Sequence, residues 1–160
     1  MRFRYGPQGK PFLANFDGFQ TDAARGFLDE EQRLQFNISH SHELALCAIT
    51  ASRAIGVDIE YLRPLPDAEP LAQRFFSKAE HARIQALPAD EQAQVFLRLW
   101  TGKEAYLKAT GKGLSHPLNQ VEVIYTERGW GLTEALPGWF MRSFSPAPDY
   151  LAALVVEHSV

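Results

Sequence analysis

The chain has 160 residues, 46% of them hydrophobic and 22% charged, enough for one compact domain or two small packed lobes and too apolar for a mostly disordered chain. Its net charge of -3 supplies no global basic field for nucleic acid. No stretch approaches the roughly 20 apolar residues of a membrane span, and residues 1–7 hold no apolar core of signal-peptide length, so a cytoplasmic protein with neither a nucleic-acid nor a membrane partner is expected.

Residues 1–33 are rich in Gly, Asp and Gln and weakly periodic, which predicts loops with at most one short helix. Within them Gly9-Lys10-Pro11 reads as a tight turn presenting a Lys. Residues 34–38 and 44–50 read as strands around a polar turn, Ser39-His40-Ser41-His42. Cys47 is the only cysteine, so no intrachain disulfide can form. It sits in an apolar run, where a buried thiol is expected. Residues 54–61 make a third strand with Ile55, Val57 and Ile59 on one face. Pro64, Pro66 and Pro70 then predict an irregular connection.

Ser77-Lys78-Ala79-Glu80 matches a capping box and opens a helix to about Leu87. Pro88-Ala89-Asp90 breaks it and starts another, which ends at Gly111 after Thr110. Four strands are expected at 119–126, 130–134, 138–144 and 150–156, with Gly129-Trp130-Gly131 as a turn. Strands clustered around a central pair of helices argue α+β rather than alternating α/β.

Three groups of residues carry chemistry. In Ile55-Gly56-Val57-Asp58-Ile59-Glu60 strand alternation points Asp58 and Glu60 the same way, with Cα atoms roughly 6.5–7 Å apart. Two carboxylates so placed repel unless a cation is near, and hard oxygen ligands suit Mg²⁺. The bland alternative is a solvent-facing acidic strand. On the helix, Glu104 and Lys108 are four residues apart, at the edge of an apolar stripe of Ala93, Phe96, Leu97, Trp100 and Leu107. They read either as an ordinary helix pair, or as a metal ligand or base beside a phosphate-binding Lys. The third group is the polar turn, whose hydroxyls and imidazoles suit a phosphorylated ligand. His42 reads as a surface residue. His40 and His42 with the distant Cys47 do not make a zinc set, and no acid stands ready to orient a Ser–His pair.

Together these segments resemble the surfactin-type 4′-phosphopantetheinyl transferases. The matching runs, in order, are Gly9-Lys10-Pro11, Phe36-Asn37-Ile38-Ser39-His40-Ser41, Ile55-Gly56-Val57-Asp58-Ile59-Glu60, Arg74-Phe75-Phe76-Ser77, and Trp100-Thr101-Gly102-Lys103-Glu104-Ala105-Tyr106-Leu107-Lys108, continuing into Gly111-Lys112-Gly113-Leu114. The resemblance implies an α+β fold of two pseudo-symmetric lobes of antiparallel sheet packed with helices. Residues 1–54 would be a partial N-terminal lobe and 55–160 the C-terminal lobe.

It further implies transfer of the 4′-phosphopantetheine of coenzyme A to a serine of an apo acyl or peptidyl carrier protein, dependent on Mg²⁺. Asp58, Glu60 and Glu104 would hold the metal, and Lys108 would contact the pyrophosphate. His40 would meet the 3′-phosphate side with Ser39 beside it, and Lys10 would lie near the adenine. Glu104 is also the implied base, and segment 61–76, with Phe75 and Phe76, would border the carrier. Carriers of fatty-acid, polyketide and peptide synthesis all remain open. The alternative is a non-catalytic member that binds carrier protein or coenzyme A. The sequence departs from the family in its short first lobe, for whose basic residues Arg2 and Arg4 are the candidates. A naturally short member, a truncated product and a homo-oligomer that completes its pocket from a neighbour all stay open.

Overall fold

The computed structural model describes residues 2–5, 9–15, 34–113, 116–127 and 129–158. Their centre is an antiparallel three-stranded sheet in the order β5 (Ile55–Tyr61), β9 (Tyr150–Glu157), β8 (Trp139–Phe144). Three two-stranded pairs surround it: β1 (Arg2–Tyr5) with β2 (Pro11–Asn15), β3 (Leu34–Ser41) with β4 (Leu44–Ala51), and β6 (Val123–Thr126) with β7 (Gly129–Leu132). Helices α1 (Ala68–Phe75), α2 (Lys78–Gln85) and α3 (Ala89–Thr110) lie between β5 and β6, and a short 3-10 turn spans Leu118–Gln120. This is the expected α+β class. Among the described residues no helix is long and apolar enough to cross a membrane.

The helix signals hold closely. Ser77 accepts from the Glu80 backbone N–H, and the Glu80 side chain accepts from the Ser77 N–H, completing the capping box of α2. Gly111 ends α3 with a φ of 67°, the left-handed cap that a glycine adopts without Cβ strain. α3 packs across β5 and β9, burying Leu99 and Leu107 in the main core with Leu151 and Val155. Each such side chain stabilises the fold by about 1.5–3 kcal/mol. Contact between α3 and β5 is so close that a Cβ on Gly56 would collide with the Ala105 carbonyl and the Ala109 nitrogen. Burial between Phe96 and Ala109 is not confined to one stripe. Thr101, Gly102 and Lys103 are buried too, because α3 is covered on several sides.

Several expectations are corrected. The region 1–33, read as loops, contains the β1–β2 hairpin, and the rest of it lies outside the described residues apart from Gly9 and Lys10. Ser39, His40 and Ser41 belong to β3 rather than a turn, and the chain reverses only at His42 and Glu43. Segment 61–76 is not merely irregular, since it contains α1. Pro70 is tolerated as the third helical residue, where its missing N–H has no intrahelical partner. The strand expected at 130–134 is present as β7, and Gly129-Trp130-Gly131, also read as a turn, opens it, with Trp130 and Gly131 paired to Tyr125 and Ile124. The strand expected at 119–126 is shortened to β6 by the 3-10 turn before it. Cys47 is exposed, not buried. The apolar run of β4 lies in a two-stranded sheet, so alternate side chains face outward.

Candidate active site

β5 is an edge strand of the central sheet, and an edge leaves a row of backbone N–H groups without ladder partners. β3 runs beside it and satisfies that row with side chains. Asn37 Oδ1 accepts from the Val57 N–H at 2.9 Å, Ser39 Oγ from the Ile59 N–H at 3.4 Å and Ser41 Oγ from the Tyr61 N–H at 3.0 Å. Three polar residues at alternate positions, all on one face of β3, thus act as a comb along β5. The same comb reaches the acids. Ser39 Oγ donates to Asp58 Oδ1 at 3.0 Å and Ser41 Oγ to Glu60 Oε2 at 3.3 Å.

The close approach at Gly56 brings the last turns of α3 over these acids. Lys108 Nζ donates to Asp58 Oδ1 at 2.6 Å and to Ser39 Oγ at 3.0 Å. Glu60 has a second cation nearby, Arg63, at 3.6 Å. Asp58 is only 6% exposed, and its Oδ2 is buried without a hydrogen-bond partner among the described residues, as is Glu104 Oε1. Burial pushes the Asp58 carboxyl above the usual carboxylate range. Lys108 and Ser39 oppose that shift and the Glu60 charge adds to it. Burial raises the Glu104 carboxyl as well, reinforced by Asp58 and Glu60 and opposed by Lys108.

Asp58, Glu60, Glu104, Lys108 and Ser39 are therefore brought into one electrostatic neighbourhood, as their types and spacing suggest. The expected convergence of three carboxylates on one ion is not preformed, however. Among the described residues no three His, Cys, Asp or Glu side chains stand together as a metal-holding group. The physical reason is that each β5 acid is engaged elsewhere, Asp58 with Lys108 and Glu60 with Ser41 and Arg63. The chemistry of the set still fits a hard divalent cation. Two buried carboxylate oxygens lack partners among the described residues, and such oxygens favour a cation over hydrocarbon.

Two other expected residues sit differently. Lys10 is turned into the protein: its ammonium donates to the Ile55 carbonyl at 3.1 Å and the Ala109 carbonyl at 2.9 Å. Ala109 lies in the last turn of α3, where the helix dipole favours a cation. Lys10 therefore has a structural task, tying β5 to the end of α3. His40 is exposed, and strand alternation places it on the face of β3 opposite Ser39, so the two do not project side by side. His42 is exposed as expected and stacks on Tyr61 with ring centroids 4.4 Å apart.

Sequence reasoning missed a buried ion pair behind the site. Lys103, 0% exposed, donates to Glu80 Oε2 at 2.7 Å, to the Leu118 carbonyl at 3.0 Å and to the Val121 carbonyl. Glu80 Oε1 in turn accepts from the Val123 N–H at 2.9 Å. The signal was a Lys directly before Glu104, a quarter-turn away, in a stretch of helix rich in apolar residues. The comb had a signal too, in the Asn-x-Ser-x-Ser alternation.

A family model described as the 4′-phosphopantetheinyl transferase superfamily matches residues 54–155. Over 156 residues the chain is 40% identical to 4′-phosphopantetheinyl transferase HetI of Nostoc sp., covering 98% of this chain and 60% of that protein. It is 36% identical over 126 residues to 4′-phosphopantetheinyl transferase Sfp of Bacillus subtilis, covering 77% of this chain and 55% of that one. Among solved structures, the holo-(acyl-carrier-protein) synthase of Bacillus anthracis in complex with CoA (3′,5′-ADP) is similar at 25% identity and a TM-score of 0.55. That likeness covers 66% of this chain and 96% of the synthase. The synthase of Thermotoga maritima shares the fold at 20% identity and a TM-score of 0.51, over 67% and 64% of the two chains. The chain spans less than two thirds of the length of either curated relative named here.

Proposed function

This chain belongs to the 4′-phosphopantetheinyl transferase superfamily, and from that premise we propose that it transfers the 4′-phosphopantetheine of coenzyme A to a serine of an apo acyl or peptidyl carrier protein. In that reaction the serine oxygen forms a bond to a phosphorus of the coenzyme A diphosphate. The bond from that phosphorus to the bridging oxygen breaks, and 3′,5′-ADP leaves with the electron pair. The serine proton passes to a base.

The observation that carries this reading is two buried carboxylate oxygens without a partner among the described residues, Asp58 Oδ2 and Glu104 Oε1, on acids that feel each other's charge and that of Lys108. Buried unpaired carboxylate oxygens are costly, and one use that offsets the cost is to hold a cation. Asp58 and Glu104, with Glu60 beside them, would hold Mg²⁺. When bound, that ion would neutralise charge on the diphosphate and on the leaving phosphate. Lys108 would turn from Asp58 to a phosphate oxygen, a displacement within the reach of its four-carbon stem. Glu104, with its carboxyl pKa raised by burial, is suited to take the serine proton directly or through water. Ser39 lies beside Lys108, and exposed His40 is the candidate for the 3′-phosphate side. The proposal includes a cytoplasmic location, with which a single cysteine accords.

The test is incubation with apo-carrier protein, coenzyme A and Mg²⁺, read by intact mass. Gain of the phosphopantetheine mass on the carrier supports transfer. Binding of carrier or coenzyme A without any mass gain would sink it, and would leave a non-catalytic member of the family.

A further inference from the structure

We infer that Ser39 and Ser41 are positioning residues that aim the Asp58 and Glu60 carboxylates for a divalent cation, a role resting on the metal-dependent reading above. A serine hydroxyl has one donor and two acceptor sites, whereas an ammonium and a backbone N–H can only donate. Ser39 Oγ receives the Lys108 ammonium at 3.0 Å and the Ile59 N–H at 3.4 Å. Both acceptor sites are taken, so its proton is directed onto Asp58 Oδ1, 3.0 Å away. Ser41 repeats the arrangement two residues on. It receives the Tyr61 N–H at 3.0 Å and directs its proton to Glu60 Oε2 at 3.3 Å.

Each serine thereby ties a carboxylate to the backbone of the residue after it in β5. One oxygen of Asp58 is held by Ser39 and Lys108 while the other has no partner among the described residues. Fixing one oxygen of a carboxylate fixes the direction of the other. Hydrogen bonds that orient ligating groups in this way matter nearly as much to metal affinity as the ligands themselves. Asn37 supplies an internal contrast. It makes the same kind of backbone bond, to the Val57 N–H at 2.9 Å, but Val57 carries no carboxylate.

The experiment compares Ser39→Ala, Ser41→Ala and Asn37→Ala with the parent chain. It uses Mn²⁺ binding followed by electron paramagnetic resonance without coenzyme A, alongside thermal melts. Ser41→Val and Ser41→Thr form a further pair that differs only by the hydroxyl, in side chains that strands accept. The expected result is Mn²⁺ affinity weakened at least about tenfold in Ser39→Ala, Ser41→Ala and Ser41→Val, with Ser41→Thr restored toward the parent. Asn37→Ala is expected to melt lower with its Mn²⁺ affinity unchanged. Parent-like Mn²⁺ affinity in Ser41→Val, or equal weakening in Asn37→Ala, overturns the positioning role. A parent chain that binds no Mn²⁺ overturns the metal reading itself, and is told apart because the defect is then present before any substitution.

Discussion

Lys108 Nζ lies 2.6 Å from Asp58 Oδ1, while Asp58 Oδ2 on the same carboxylate is buried without a partner among the described residues. Lys108 is thus the countercharge of a buried acid and, in the proposed reaction, the partner of a phosphate. Replacing Lys108 by Gln removes both. We expect transfer to fall about 10²–10³-fold, the scale of losing one preorganised contact to developing charge. The protein should also gain more thermal stability from added Mg²⁺ than the parent does, because the ion then replaces the missing cation. Steady-state kinetics and melts with and without Mg²⁺ check both statements, and transfer within threefold of the parent returns Lys108 to an ordinary helix pair.

The Glu104 carboxyl sits above the usual range because it is buried near Asp58 and Glu60. A carboxyl raised in the folded state contributes stability fully only below its unfolded pKa, and that contribution is lost as pH rises through the folded pKa. Glu104→Gln carries no charge to desolvate. In metal-free buffer at neutral pH it should melt higher than the parent by about 2–4 °C, equivalent to about 1 kcal/mol. The gap should close as pH falls towards the ordinary carboxylate range. A series of melts from acid to neutral pH tests this, and a gap that does not vary with pH refutes it.

What could be read in the sequence, and what could not, separates along physical lines. α3 was legible because its start, its Gly111 cap and its length are local facts. The common direction of Asp58 and Glu60 was legible because strand alternation is local as well. Ser39 and Ser41 misread as a turn because polar residues at alternate positions look the same whether they face water or the edge of another strand. Only the presence of β5 beside β3 decides it. Cys47 misread for the converse reason, since an apolar run does not reveal that its sheet has only two strands. Lys103 drew no reading of its own because its carboxylate, Glu80, lies 23 positions away on another helix.

That distant pair leads to a stability prediction free of catalysis. Lys103→Ala leaves Glu80 buried, 4% exposed, without its cation, and strips the Leu118 and Val121 carbonyls of a donor. Breaking a buried pair in this way costs about 3–5 kcal/mol. The double variant Lys103→Met with Glu80→Gln removes both charges and should recover part of that loss. Denaturant unfolding measures each. A single variant within about 0.5 kcal/mol of the parent contradicts the assigned network.

Gly56 tests whether the site depends on the approach of α3 to β5. A methyl group there would meet the Ala105 carbonyl and the Ala109 nitrogen, both backbone atoms that no side-chain rotation can move aside. Gly56→Ala must therefore push the helix off the strand, at a cost of about 1–3 kcal/mol or more for overpacking. Glu104 and Lys108 flank the points of collision on α3, so they would move away from Asp58 and Glu60 together. The expected signature is a joint loss of stability and of Mn²⁺ affinity, whereas Gly129→Ala, at a site where an added Cβ meets nothing within 4 Å but φ is 97°, should lose stability alone. If Gly56→Ala retains the parent's Mn²⁺ affinity, the closeness of helix and strand is a packing detail, and the acids of β5 do not rely on α3 for their cation.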